Sequence, residues 1–139
     1  MGRRVNQKVF LYSIQSPRSS ALMERINKAC DGNAIPALIE SIEHFPVGGH
    51  KKTPPGSVVF LDLPNIKKSA VQTIKSVKSR IPGMKALAVH IYTTKLLIEP
   101  LIDAGASGYL TYEPTVAELR DALKSVREGE IYLPDQIYG

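Results

Sequence analysis

Ser57-Val58-Val59-Phe60-Leu61-Asp62-Leu63-Pro64-Asn65 is the stretch that decides how this chain folds. Its apolar residues are β-branched or aromatic, turn residues bound it, and it is too short for a helix. It reads as a strand buried on both faces. Such a strand belongs to a parallel sheet covered by helices on each side. Asp62 then sits at the C-terminal edge, where open α/β folds place their sites.

Working outward, Lys8–Ser13 reads as a first strand. A helix follows, with Ser16 as N-cap, Pro17 at its first position and Leu22, Ile26 and Ala29 as a buried stripe. Asp31-Gly32-Asn33 ends it. Ile35, Ala37 and Ile39 alternate like a strand, while Leu38, Ile42 and Phe45 are spaced like a helix. A short strand and then a stunted second helix are expected. Residues 46–56 are full of breakers and are expected to form a mobile loop.

Downstream, a third helix is expected over Lys67–Arg80, stopped by Pro82-Gly83, then a strand over Ala86–Ile91. A fourth helix covers Thr94–Ala104, where Pro100 implies a kink or a late start. The fifth strand is Gly108–Thr111. Thr115 and Glu118 fit a capping box for a fifth helix, with Val116, Leu119, Leu123 and Val126 inward and Gly129 closing it. Five strands alternating with helices imply a three-layer α/β fold, a doubly wound parallel sheet. One domain spans 8–133, between tails at 1–7 and 134–139.

The chain has 139 residues, of which 43% are hydrophobic, enough for an ordinary core. No apolar run approaches the ~20 residues of a membrane helix, and no signal-peptide segment follows Met1. A soluble, cytoplasmic protein without membrane contact is expected. Cys30 is alone, and His44, His50 and His90 show no metal-ligand spacing. The net charge is +5. The basic residues of the third helix form a solvated face or a docking surface for an acidic partner.

Ala104-Gly105-Ala106-Ser107-Gly108-Tyr109-Leu110, Glu118-Leu119-Arg120-Asp121-Ala122-Leu123 and Gly129-Glu130-Ile131-Tyr132-Leu133 resemble the last third of a response regulator receiver domain. The likeness is to bacterial receivers that precede LuxR-type helix-turn-helix domains in two-component signal transduction. Val58–Leu63 resembles the strand that carries their phosphoacceptor aspartate, which puts Asp62 at that position. The resemblance covers roughly 8–133 and implies the flavodoxin-like (CheY-like) sheet of order 2-1-3-4-5.

The departures matter as much. Receivers carry two acids after strand 1 that help hold Mg²⁺; here Ile14 and Gln15 occupy that stretch. His90 stands where they have Thr or Ser, and Tyr112 where they have Lys. One carboxylate is a poor Mg²⁺ site. The resemblance therefore implies a degenerate pseudo-receiver. His90 and Asp62, at the ends of adjacent strands, have two readings: a direct pair, which would favour the charged form of each, or a half-buried His90 at a strand end bonded to water. Tyr109 matches the switch aromatic.

The expected function is non-enzymatic: an atypical receiver acting by protein–protein contact, without Mg²⁺-dependent aspartyl phosphorylation and without a cofactor. In the family the face of the fourth helix, fifth strand and fifth helix forms homodimers or binds effectors. Here it offers Lys95, Glu99, Asp103, Glu113, Glu118, Arg120, Asp121 and Lys124. No nucleic acid is expected for this chain alone, since it contains no helix-turn-helix. The alternative is a phospho-accepting receiver at Asp62, with Mg²⁺ and a histidine kinase, forming the regulatory fragment of a DNA-binding transcription regulator.

Overall fold

The structure, a computed structural model, describes residues 8–44 and 57–135. The expected N-terminal tail at 1–7, the breaker-rich loop at 46–56 and residues 136–139 lie outside the described residues. Five parallel strands form one sheet in the order β2-β1-β3-β4-β5. They are β1 (Val9–Tyr12), β2 (Ala37–Ile39), β3 (Val58–Asp62), β4 (Lys85–Val89) and β5 (Gly108–Leu110). β3 lies at the centre, wholly buried, and pairs with β1 (Val58 opposite Val9) and β4 (Asp62 opposite Val89).

Among the described residues four helices cover the sheet: α1 (Pro17–Cys30), α2 (Ala70–Arg80), α3 (Lys95–Asp103) and α4 (Val116–Arg127). Side chains alternate along β3. Val58 and Phe60 pack with Leu22, Ile26, Leu119 and Leu123 of α1 and α4. Val59 and Leu61 pack with Ile74, Val77, Ile98 and Leu101 of α2 and α3. The same parity places Asp62 on the α1 side.

Local chemistry explains the helix ends. Ser16 and Thr115 each close a capping box, with Ser19 and Glu118. Asp31 ends α1 in the left-handed region, φ 53°, a conformation that Asp tolerates. Residue Pro100 stays inside α3. The carbonyl it leaves without a helical donor, that of Leu96, belongs to an exposed residue, so water can serve it.

Two elements differ from expectation. The stunted second helix is only one 3₁₀ turn, Ile42–His44. The third predicted helix begins at Ala70 rather than Lys67. Leu63–Asn65 forms a 3₁₀ turn instead, and Ser69 caps α2 by accepting from the Gln72 amide. After α4, Tyr132 makes a parallel bridge to Gly108 beside β5. The Tyr109 amide donates to Tyr132 O and the Tyr132 amide to Ser107 O.

Candidate functional site

Asp62 ends the central strand fully buried, so its ionised form depends on internal donors. Four converge on it. The Ser13 hydroxyl, at the end of β1, donates to Oδ2 at 2.7 Å, and Asn65 Nδ2 donates to the same oxygen at 2.9 Å. Arg18 covers the other oxygen, with Nη2 at 2.9 Å and Nε at 3.2 Å from Oδ1. The Arg18 guanidinium also lies on the Tyr112 ring, 3.6 Å from its centroid. One face of the cation is thus covered by an aromatic while its edge holds the carboxylate.

Arg18 is not among the residues that the sequence places beside Asp62. A signal was available. It sits in the first turn of α1, where a cation opposes the helix dipole and no acidic side chain offsets it. A cation in that unfavourable place, one turn from strand ends that carry an aspartate, calls for an anionic partner.

His90 does not pair with Asp62, which removes the first of its two readings and leaves the half-buried residue at a strand end. Strand parity turns Asp62 toward α1, and donors from β1, α1 and the 63–65 turn already serve its oxygens. The His90 ring instead stacks on Tyr92, with centroids 4.2 Å apart and planes tilted by 35°. Its Nδ1 is buried without a hydrogen-bond partner. Burial pushes its titration below 6.5, and the Asp62 charge offsets this only in part. That direction is opposite to the one a direct pair would give.

The remaining expected residues scatter. Ile14 is 49% exposed. The Gln15 amide donates to Glu40 Oε2 at 3.0 Å, and its side chain lines a groove with Ser19, Met23 and Leu38 between α1 and β2. Tyr112 enters the cleft only through Arg18. Tyr109 points inward, fully buried; burial pushes its phenol up, and its hydroxyl donates to Tyr92 O.

On the expected contact face, Glu118 is used by the Thr115 cap. Arg120 makes a two-pronged bond to Asp31 at the end of α1, at 3.0 and 3.2 Å, so it ties two helices of its own chain. Lys95 and Glu99 form an exposed pair at 4.0 Å. With Asp103 they line a groove of about 470 Å³ floored by Ile98, Ile102, Ile131 and Leu133. Glu113, Asp121 and Lys124 are exposed.

The donor set around Asp62 does not fit Mg²⁺, which takes one or two carboxylates in near-octahedral oxygen geometry. Among the described residues no three His, Cys, Asp or Glu side chains group to hold a metal. A guanidinium already lies against Oδ1.

No family model matches the chain. Over 80 residues, 58% of this chain, it is 32% identical to a nitrate/nitrite response regulator protein homolog of Haemophilus influenzae. It is 31% identical, also over 80 residues, to the transcriptional activator protein ExaE of Pseudomonas putida. The matches cover only 38% and 36% of those relatives. A LuxR-family two-component response regulator from Aurantimonas sp. SI85-9A1 superposes with TM-score 0.75 at 17% identity, over 94% of this chain and 91% of that one. The isolated REC domain of RcsB from Salmonella enterica serovar Typhimurium, with the phosphomimetic BeF3-, superposes with TM-score 0.69 at 14% identity, over 95% and 96%. These neighbours share the fold. No helix among the described residues is long and apolar enough to cross a membrane.

Proposed function

We propose that this chain, which has the receiver fold and resembles response regulators in sequence, is a signalling module that works by protein contact around an aspartate held by its own arginine. The observation that carries this reading is the Arg18–Asp62 pair. Aspartyl phosphorylation needs a carboxylate oxygen free to attack, and a metal and a lysine to neutralise the incoming phosphoryl charge. Here Oδ1 is covered by the guanidinium and Oδ2 accepts two bonds, and the resemblance implies Tyr112 where receivers carry the lysine. The Arg18 cation supplies permanently the charge that a metal would supply transiently.

The α3, β5 and α4 face supports contact with a partner or a second copy, through the apolar groove beside Lys95, Glu99 and Asp103. The curated relatives are longer than this chain. Its role inside such a regulator, upstream of a DNA-binding part, belongs to the same proposal.

Incubation with acetyl phosphate, or with beryllofluoride and Mg²⁺, tests the reading. Intact mass and amide chemical shifts around Asp62 should stay unchanged. Stoichiometric modification that disappears in Asp62→Ala overturns it and restores the phospho-accepting alternative, with a histidine kinase as donor.

A further inference from the structure

Between 66 and 85 the chain carries six cations, Lys67, Lys68, Lys75, Lys78, Arg80 and Lys85, and no carboxylate. Lys67, Lys68, Lys75 and Arg80 are exposed. Only the single turn at 42–44 follows β2 among the described residues, and the flank of α2 that faces it carries a shallow groove of about 450 Å³. Ile42, Lys75, Ser76, Ser79 and Arg80 line it. Ile42 and the methylene stems of the two cations offer an apolar seat. The two serine hydroxyls offer hydrogen bonds, and the charged heads stand at the walls.

We propose that this groove is a docking site for an acidic peptide segment of a partner protein, with carboxylates on Lys75 and Arg80 and one apolar side chain over Ile42. The chain itself shows how a carboxylate fares beside it. Glu43, next to Ile42 and fully exposed, is held below the ordinary carboxylate range, first by the Ser41 hydroxyl and also by the charges of Arg80 and Lys68. The apolar seat favours a peptide over a phosphodiester backbone, which needs only charge. α2 exposes no large apolar side chain for insertion into a membrane surface. This site is separate from the Asp62 cleft and does not depend on the state of that residue.

The test is fluorescence anisotropy with a fluorescein-labelled peptide, Glu-Asp-Leu-Asp-Glu-Phe-Glu, on the whole chain at moderate salt. Saturable binding should weaken about tenfold or more in the Lys75→Glu/Arg80→Glu double variant. It should be unchanged in Lys28→Glu on α1. Ile42→Ser should also weaken it, and replacing Leu and Phe in the peptide by Ser should do the same. Circular dichroism confirms folding of each variant. Absence of saturable binding, or equal binding by the double variant, overturns the proposal. So does tighter binding of a mixed-sequence DNA duplex or of phosphatidylserine vesicles with the same dependence on Lys75 and Arg80, which would make the patch a general polyanion surface.

Discussion

The Tyr109 hydroxyl donates to the backbone carbonyl of Tyr92 across 2.7 Å, joining the middle of β5 to the segment between β4 and α3. Because Tyr109 is fully buried, the bond fixes its ring inward. In Tyr109→Phe the carbonyl loses its donor while the ring keeps its packing. We expect a loss of about 1 kcal/mol in urea denaturation, with faster hydrogen exchange confined to the β4–α3 connection. An unchanged midpoint together with unchanged exchange would show that the bond holds nothing in place.

Arg18 and Asp62 should behave as one unit. Arg18→Ala leaves a buried carboxylate with two neutral donors, and should cost about 2–4 kcal/mol at neutral pH. Asp62→Ala, made on top of it, should recover part of that loss, because the unpaired charge is gone. Chemical denaturation of the two single variants and the double variant gives the coupling energy. Additive losses would mean that the two residues act independently.

His90 gives the stability a pH dependence of known sign. Its folded titration lies below 6.5, so between the two values the unfolded chain binds more protons. Its contribution is complete above 6.5 and declines as pH falls toward the folded value. His90→Gln should flatten this segment of the stability curve, measured as urea midpoint against pH. A midpoint that rises on acidification through this range would contradict the burial of the imidazole.

Gly108 leaves no room for a methyl group. A Cβ there would meet Tyr132 O and Leu87 Cδ2, both at 2.8 Å. The carbonyl is backbone and cannot turn aside. Gly108→Ala should therefore release the bridge to Tyr132 and cost about 1–3 kcal/mol. Loss of exchange protection at the Tyr109 and Tyr132 amides, both donors in that bridge, is the specific readout.

Much of the fold was legible because β3 and the α4 cap carry unambiguous local signals. Val58–Leu61 is apolar at every position, and Thr115 with Glu118 can hardly be anything but a helix start. The segment from Ile35 to Phe45 was ambiguous because its apolar residues satisfy both the strand and the helix period. Ala37–Ile39 takes the strand, and Ser41 and Glu43 close Ile42–His44 as a single tight turn through their own hydrogen bonds. At the site, the sequence placed Asp62 at the end of β3 and offered His90 as one of its possible partners, without pointing to Arg18. His90 is its neighbour by strand adjacency. Arg18 is its neighbour by face, and only the alternation of side chains along β3, combined with the position of α1, makes that choice.

The two outer margins of the sheet have a common consequence. β2 offers only three residues, and Pro36 just before it has no amide to donate. At the other margin Tyr132 occupies the hydrogen bonds that β5 would present to a neighbour. Lateral growth from strand to strand is blunted on both sides, so the main chain contributes little to recognition. Among the described residues, a partner therefore meets more side chain than free main chain, and single charge reversals on the helical layers are enough to redirect its choice.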